Sequence, residues 1–279
     1  MITNIVVDSG CDVSQNIINS ETCGISYVPI TLQLGDSVYL DDDNLNIEDY
    51  LTHMEKSTEG VKTAAPSPGA FLEAYKKADN VFVVTISSKL SATYQSAMLA
   101  KNMYIEEYGE KFIHIFDSLS ASVGQGVIAM KIAELVKSGL PNLEVVNQVN
   151  SFIKEIRTFF VLDKFDNLVK TGRVKPYVAK VASVLNIKPI CGDENGEIKM
   201  VGKARGFEKA VKRLVQIIGE SIPNTEARIV NITHVKSCDR AVALKDELLK
   251  NLKVKDVVIT ECKGVTATFG YRGGIVVAV

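Results

Sequence analysis

The chain has 279 residues, a formal net charge of −1 at pH 7, and 46% hydrophobic and 23% charged residues. This length predicts two domains or one large α/β unit, and a charge so near zero gives no electrostatic reason for a nucleic-acid partner. No apolar run approaches the ~20 residues needed to cross a bilayer, and the N-terminal residues lack the basic stretch of a secretory signal. We expect a cytoplasmic protein without stable membrane insertion.

The five cysteines are scattered along the chain, odd in number and never spaced as C-x-x-C. This pattern argues against a disulfide framework and against a cysteine zinc site. We expect free and mostly buried thiols.

The first half of the chain alternates apolar strands with helix signals. The predicted elements are a strand at Asn4–Val7, a short helix near Val13–Asn19, a hairpin of Ile25–Leu34 and Val38–Leu40 around a type II′ turn at Gly35-Asp36, helices starting at Asn46 and Ser67, a strand at Val81–Ile86, a helix after Ser91, a strand at Phe112–Phe116 and a helix at Val127–Lys137. This alternation predicts a mainly parallel sheet covered by helices on both faces.

The second half brings strand pairs together with helices. The predicted elements are Leu143–Ile156 (helix), Thr158–Leu162 (strand), a short helix ending at Lys170–Arg173, Tyr177–Leu185 (helix), a ribbon of Ile187–Cys191 and Glu197–Val201 across residues 192–196, Phe207–Glu220 (helix), Ala227–Val235 (strand), Arg240–Leu252 (helix), and the strands Val257–Glu261 and Ile275–Val279. We therefore expect an α/β protein of two domains. Residues 1–157 would form the mainly parallel N-terminal domain, and residues 158–279 an α+β C-terminal domain with a mixed sheet.

Three of the predicted strands run directly into small hydroxyl and acidic residues. The first strand opens into Asp8-Ser9, the second into the segment 87–93, and the third into Asp117-Ser118. In α/β proteins, ligands bind outside the carboxyl ends of parallel strands. Hydroxyls and free backbone N–H groups suit a small anionic head group. On its own, Ser91 is equally consistent with capping the helix that follows it.

Two other kinds of site are less well supported. A small-molecule hydrolase or transferase using Ser91 with Asp8 or Asp117 would need a base and an oxyanion hole, but there is no Gly-x-Ser-x-Gly and none of the three histidines stands in a partner motif. Asp8, Asp12 and Asp117 offer carboxylates for Mg²⁺, although hydrogen bonding to loop amides is the favoured role. We expect no catalytic residue, no metal and no cofactor.

The motifs Asp8-Ser9-x-x-Asp12, Thr63-x-x-Pro66-Ser67 and the segment 87–97 together resemble those of the DegV family of bacterial fatty-acid-binding proteins. Further similar segments extend the resemblance over nearly the whole chain: Phe116-Asp117-Ser118 with Ser122, Leu168-x-Lys170-Thr171-Gly172-Arg173, Ile187-Lys188-Pro189-Ile190 and Lys203-x-Arg205-Gly206.

The resemblance implies a two-domain DegV-like fold that binds one long-chain fatty acid, of the palmitate, stearate or oleate class, in an apolar tunnel. By motif, Thr63 and Ser91 would hold the carboxylate. The possible secondary site residues are Asp8, Ser9, Ser88, Thr93, Asp117, Ser118 and Phe269. In the family such a protein presents its ligand to a separate fatty acid kinase and is not itself an enzyme. Basic residues at Lys170, Arg173 and Arg205 would contact that partner, unless they only complement a helix C-terminus.

The C-terminal region departs from the family pattern. The family usually has a histidine followed by Gly-Pro-Gly, whereas this chain reads Thr268-Phe269-Gly270-Tyr271-Arg272-Gly273-Gly274. Either Phe269 or Gly270 takes the place of the histidine. We therefore expect the head group to be held with one polar contact fewer than in the family.

Overall fold

A computed structural model describes residues 2–13, 18–20 and 23–279 of the chain. Its strands, in chain order, are β1 (Thr3–Asp8), β2 (Cys23–Val28), β3 (Thr31–Leu34), β4 (Ser37–Leu40), β5 (Val61–Ala64), β6 (Asn80–Thr85), β7 (Phe112–Asp117), β8 (Thr158–Val161), β9 (Ile187–Glu194), β10 (Glu197–Arg205), β11 (Ile229–His234), β12 (Asp256–Glu261) and β13 (Ile275–Ala278). Its helices are α1 (Ile47–Lys56), α2 (Pro68–Tyr75), α3 (Thr93–Tyr108), α4 (Val123–Lys137), α5 (Asn142–Glu155), α6 (Asp166–Lys170), α7 (Pro176–Ala182), α8 (Phe207–Ser221), α9 (Cys238–Asn251) and α10 (Gly264–Gly270), with a 3₁₀ helix at Thr225–Ala227. The short helix predicted near Val13–Asn19 falls on residues 14–17, which lie outside the described residues.

The parallel sheet predicted for the first half is confirmed. Its four strands follow the order β2-β1-β6-β7, and each neighbouring pair is parallel. All six residues of β1 are buried, as expected for a strand covered on both faces. Val6 packs with Phe71 of α2 and Ala97 of α3 on one face. Ile5 packs with Ile128 of α4 on the other face.

A mixed sheet follows in the order β10-β9-β8-β13-β11-β12, in which only β11 and β12 pair in parallel. Along β13, Val276 and Ala278 belong to the core around α4, whereas Ile275 and Val277 belong to the core beneath α8 and α9. This alternation is the period of two that a strand imposes. Helix α4 is thus packed between the two sheets. The domain boundary at residue 157 stays a prediction.

The predicted strand Ile25–Leu34 is wrong, because the chain divides there into β2 and β3. β2 joins the parallel sheet, and β3 forms a separate antiparallel sheet of order β4-β3-β5. Pro29 lies between them and has no N–H to continue a ladder. The hairpin turn itself is as predicted, since Gly35 has a φ of +57° and Asp36 does not have a positive φ, the pattern of a type II′ turn.

The ribbon in the second half was predicted with too long a loop. β9 runs on to Glu194 and β10 begins at Glu197. Only Asn195 and Gly196 remain in the turn, with φ values of +52° and +84°. An Asn-Gly pair with both φ angles positive is typical of a type I′ hairpin. Ser87 Oγ donates a hydrogen bond to the carbonyl oxygen of Gly196 over 2.8 Å, so the hairpin tip rests on the loop that follows β6.

Helix α10 was not predicted at all. Its sequence, Gly264-Val265-Thr266-Ala267-Thr268-Phe269-Gly270, is rich in β-branched residues and glycine, which have low helix propensity. Within the described residues, no helix combines the length and apolar character needed to cross a membrane.

Candidate functional site

The hydroxyl- and acid-rich strand ends come together as predicted. Val7 pairs with Val84, and Thr85 pairs with Asp117, so β1, β6 and β7 end side by side. Asp8 Oδ2 accepts a hydrogen bond from Ile86 N over 2.7 Å. These pairings place the loop after β6 between the two acidic strand ends.

Asp117 organises that same loop. Its Oδ1 accepts hydrogen bonds from Ser88 N at 3.0 Å and from Leu119 N at 3.1 Å. The carboxylate therefore bonds loop amides, which was the favoured role in the sequence. Asp8 does likewise with Ile86 N and Gly10 N.

Two buried aspartates anchor the unpredicted helix α10. Asp41 accepts hydrogen bonds from Gly264 N at 2.7 Å and from Val265 N at 2.8 Å. Asp12 accepts from Lys263 N at 2.7 Å and from the Thr266 hydroxyl at 2.6 Å. A carboxylate at a helix N-terminus satisfies amides that have no partner within the helix and also complements the helix dipole. These bonds offset the low helix propensity of the segment.

Burial governs the protonation of these carboxyls. It raises the pKa of Asp8 and of Asp12 to about 6 from the ordinary 3.8, although their hydrogen bonds oppose the shift. It also raises the pKa of Asp41, whose charge adds to the rise at the other two. Because these oxygens face hydrogen-bond donors, they are not arranged as metal ligands. In the described part of the chain, no group of three or more His, Cys, Asp or Glu residues is placed to hold a metal ion.

An outer pocket opens beside the loop after β6, with about 1010 Å³ of space that includes open solvent. The hydroxyl residues Thr63, Ser88 and Ser91 line it, together with Lys89 and Arg173. Thr63 reaches it from β5, where it pairs with Leu32 of β3. The structure therefore brings Thr63 and Ser91, the two predicted head-group residues, into one pocket from separate sheets.

Arg173 is the site residue whose place the sequence did not indicate. Its Nη2 donates a hydrogen bond to Thr63 Oγ1 at 3.2 Å, and its Nε donates to the Leu90 carbonyl oxygen at 3.0 Å. Its guanidinium lies over the Phe269 ring at 5.0 Å, within the range of a cation–π contact. The side chain is half-buried at the pocket. It was predicted to contact a partner, whereas in the structure its side chain lines the outer pocket.

A turn after α6 determines the position of Arg173. Gly172 has a φ of +75°, and Arg173 N donates back to Leu168 O over 2.8 Å. Such a glycine ends a helix and redirects the chain. In the sequence, the Thr171-Gly172 pair was the signal that the helix ends there and that Arg173 does not continue it. Lys170 and Arg205, the other two predicted partner residues, are exposed.

Ser91 precedes the N-cap of α3, which is Ala92 and makes no side-chain cap hydrogen bond, so the predicted capping role is not observed. Its Oγ lies 2.7 Å from Thr93 Oγ1 and accepts a hydrogen bond from Thr93 N at 3.3 Å, next to the start of α3. It also lines the outer pocket. No hydrogen bond joins Ser91 to Asp8 or Asp117 in the described residues, because those carboxylates bond backbone amides. The nucleophile arrangement considered from the sequence is therefore not assembled.

The other predicted secondary residues support the loops. Ser9 Oγ accepts from Ile30 N at 2.9 Å and bonds the Asp41 carboxylate. Ser118 Oγ donates to the Ser120 carbonyl oxygen at 3.0 Å. Thr93 is fully buried. Of these residues only Ser88 and Phe269 line the outer pocket.

An inner cavity adjoins the outer pocket, with about 780 Å³ of space that includes open solvent. The two share the lining residues Ile86, Leu90, Arg173, Val265 and Phe269, so the polar pocket opens into the inner cavity. Most of the remaining inner wall is apolar, with contributions from Leu119, Phe160, Leu162, Leu168, Ile198 and Val276. A cavity with this apolar lining suits a largely hydrocarbon ligand.

The structure shows which of the two candidates for the position of the family histidine, Phe269 or Gly270, lines the outer pocket. Phe269 lines both the outer pocket and the inner cavity. Gly270 is buried, and a Cβ atom there would lie 2.8 Å from Val235 Cγ2, so this position has no room for a side chain. Tyr50 holds this end of α10 in place, with its hydroxyl 2.8 Å from Thr268 Oγ1. Phe269, which has no polar donor, therefore faces the site.

Comparison with known proteins identifies the family of this chain. The family model described as "Uncharacterised protein, DegV family" matches residues 3–278. This chain belongs to the DegV family. A DegV domain-containing protein of Streptococcus pyogenes serotype M1 is 37% identical to it over 278 residues, which cover 99% of this chain and 98% of the relative.

Solved DegV structures share the fold of this DegV protein along its whole length. A DegV family protein of Ruminococcus gnavus, described with vaccenic acid, has a TM-score of 0.94 and 37% identity, covering 99% of both chains. A DegV family protein of Eubacterium eligens loaded with heptadecanoic acid has a TM-score of 0.92 and 28% identity, covering 99% and 98%. The Streptococcus pneumoniae Fatty Acid Kinase (Fak) B3 protein loaded with linoleic acid has a TM-score of 0.93 and 31% identity, covering 100% and 99%.

Proposed function

We propose that this DegV protein binds one long-chain fatty acid, with its carboxylate in the outer pocket and its acyl chain in the inner cavity. The observation that carries this proposal is the change from a polar to an apolar lining along the site. A polar entrance formed by Thr63, Ser91 and Arg173 leads past Ile86 and Leu90 into an apolar interior. The relatives crystallised with vaccenic, heptadecanoic and linoleic acids support the same ligand class.

The energetics of such a ligand are favourable. Burial contributes about 0.8 kcal/mol per methylene group, so a chain of about 16 carbons offers on the order of 11 kcal/mol before the costs of association are subtracted. A buried carboxylate needs hydrogen bonds or a counter-charge. Here Ser91 and Thr63 offer hydroxyls, and Arg173 adds a guanidinium beside them. Hydrogen bonds between charged groups are among the strongest available.

We infer a carrier rather than an enzyme. Ser91 has no base bonded to it in the described residues, and the acidic side chains nearby hold loop amides. The proposed location is the cytoplasm, since the cysteines Cys11, Cys23, Cys191, Cys238 and Cys262 are all free, as is usual in a reducing compartment.

The proposed partner is a fatty acid kinase, in line with the name of the Fak B3 relative. The exposed cations Lys170 and Arg205 are the candidate contact residues. Charge reversal of both (Lys170→Glu with Arg205→Glu) is expected to weaken binding to a cognate kinase and to leave fatty-acid affinity unchanged. Equal kinase binding by wild type and variant would show that these two residues do not contribute to the interface.

Native mass spectrometry with lipid extraction tests the ligand proposal. Protein purified from a bacterial host is expected to carry one acid of about 16–18 carbons. Loading should fall in a Thr63→Val, Ser91→Ala double variant and stay unchanged in Ser151→Ala, an exposed serine on α5. A protein that takes up no fatty acid, but turns over esters or phosphates, would contradict the carrier function and favour an enzyme.

A further inference from the structure

Asn167, in the short helix α6, is a buried polar residue that lines neither the outer pocket nor the inner cavity. Its Nδ2 donates a hydrogen bond to the carbonyl oxygen of Thr268 over 2.8 Å. The same Nδ2 lies 3.5 Å from Met54 Sδ of α1, and a thioether sulfur is a weak acceptor. Both hydrogens of the side-chain amide therefore have an acceptor, which fixes the orientation of the side chain.

The carbonyl group that Asn167 binds belongs to the last turn of α10. Carbonyl oxygens in the last turn of a helix have no N–H partner within the helix. The oxygen of Ala267 accepts from Tyr271 N over 3.0 Å, just after the end of the helix. The next oxygen, that of Thr268, accepts from Asn167, which is 101 residues away in the chain. Asn167 thus caps the end of α10 that carries Phe269.

The backbone of Asn167 orders the segment that leads to Arg173. Its carbonyl oxygen accepts hydrogen bonds from Thr171 N over 3.1 Å and from Thr171 Oγ1 over 2.6 Å. Gly172 then redirects the chain with a φ of +75°, and Arg173 follows. Asn167 is therefore bonded both to the residue before Phe269 and to the residue two positions before Arg173.

These two segments meet at the head-group pocket. The Arg173 guanidinium lies over the Phe269 ring at 5.0 Å, and its Nη2 donates to Thr63 Oγ1. The Phe269 ring is thus one surface that determines where the guanidinium lies. Hydrogen bonds between charged groups are strong, but they weaken steeply when the donor is out of line. A displaced Phe269 ring would leave Arg173 poorly aligned with a bound carboxylate.

We propose that Asn167 is a positioning residue of the head-group site. It holds Phe269 and Arg173 in fixed positions relative to each other, and it acts on the ligand only through them. This inference rests on the proposed function, because it requires the carboxylate to lie in the outer pocket. It adds a residue that determines selectivity for a charged head group without touching the ligand.

The test is the variant Asn167→Leu, which has a side chain of similar size without the two donors. Dissociation constants are measured for palmitate and for uncharged methyl palmitate. We expect palmitate to bind about 3- to 10-fold more weakly than to wild type, and methyl palmitate to bind as before. Asn231→Leu is the matched control and should change neither affinity. Asn231 is also 4% exposed and its Nδ2 also donates to a backbone carbonyl, that of Ile229, but it lies in β11 and does not line the pocket.

A double-mutant cycle separates positioning from a general loss of stability. In an Arg173→Met background, Asn167→Leu is expected to weaken palmitate binding no further, because the group that it positions has been removed. A residue that only supports the fold would lower the affinity by the same factor in both backgrounds. Urea unfolding of each variant measures the accompanying change in stability.

Three results would overturn the inference: unchanged palmitate affinity in Asn167→Leu, equal losses for palmitate and methyl palmitate, or an additive loss in the Arg173→Met background. If Asn167→Leu does not fold, Thr171→Val takes its place in every comparison, because it removes the 2.6 Å bond to the Asn167 carbonyl oxygen at a half-buried position. Each of these results leaves the proposed function intact as long as wild type binds palmitate. Wild type that binds neither ligand would remove the proposed function as well.

Discussion

The Arg173 guanidinium donates a hydrogen bond to the Thr63 hydroxyl over 3.2 Å, although 110 residues separate them in the chain. The same side chain donates to the carbonyl oxygen of Leu90, next to Ser91. One cation thus joins the segment after α6, strand β5 and the loop after β6. This relationship places a positive charge beside the Thr63 hydroxyl, in the pocket that Ser91 also lines, and the proposed function therefore predicts that carboxylate binding depends on Arg173.

Replacing Arg173 by methionine keeps an unbranched side chain over Phe269 but removes the charge. We expect the affinity for palmitate to fall about 10- to 150-fold, the loss that follows removal of a donor to a charged group. The affinity for methyl palmitate, which has no charge, should change little. Fluorescence titrations with both ligands measure the difference, and Lys170→Met, at an exposed position, is the control. A similar loss for acid and ester would mean that Arg173 acts only by packing.

The Ser91→Ala variant separates the two roles of this hydroxyl. Loss of its hydrogen bonds with Thr93, next to the start of α3, should cost about 0.5–1.5 kcal/mol of stability. Loss of a donor to the ligand should independently reduce fatty-acid affinity about 10-fold or more. Urea unfolding of the apo protein and ligand titration measure the two effects. Lower stability with unchanged affinity would show that Ser91 only supports the loop before α3.

The variant Phe269→His tests whether the missing histidine matters. The new side chain would stand beside Arg173 and add a polar donor at the head group. We expect the loaded variant to form acyl phosphate faster than wild type with a cognate kinase. Phe269→Leu, which removes the ring but adds no donor, should not. Equal rates for wild type and Phe269→His would show that the phenylalanine does not limit presentation of the ligand.

The buried aspartates give the protein an unusual pH dependence. The pKa of Asp8 and of Asp12 is about 6 in the folded chain, against 3.8 when unfolded. Between these values the folded state binds protons that the unfolded state does not. The contribution of these two residues to stability is therefore lowest above pH 6 and rises as the pH falls towards 4, on the order of 1–3 kcal/mol for each carboxyl.

Carboxyl carbon NMR titration is the direct measurement of these pKa values. We expect midpoints near 6 for Asp8 and Asp12. Asp8→Asn, which cannot take up the proton, should show a smaller gain in unfolding free energy between pH 7 and pH 5 than wild type. Midpoints near 4 would contradict the effect of burial described above.

The sequence predicted the parts of the site that depend on local pattern. Asp8, Ser88 and Asp117 follow apolar strands, and parallel pairing brings such strand ends together whatever the rest of the chain does. The carboxylate-binding role of Thr63 was predicted through the family resemblance, because its approach to Ser91 depends on how the separate β3–β5 sheet packs. Periodicity carries no information on contacts between distant segments.

The features missed from the sequence have identifiable causes. Helix α10 is favoured by the carboxylates of Asp12 and Asp41, more than 200 residues away, against its own propensity. The Asn-Gly pair at 195–196 is a local signal for a two-residue turn, but the predicted loop covered residues 192–196. The choice between Phe269 and Gly270 rested on the lack of space beside Val235, which only the packed structure defines.

A crystal structure of the protein with palmitic acid is the most direct test of the central claim. The account predicts one ligand, with its carboxylate at hydrogen-bond distance, about 3 Å, from Ser91 Oγ and from Thr63 Oγ1 or the Arg173 guanidinium. Its alkyl chain should pass Ile86 and Leu90 into the inner cavity. An empty cavity at saturating palmitate, or a ligand with its carboxylate in the inner cavity and its chain in the outer pocket, would contradict the account.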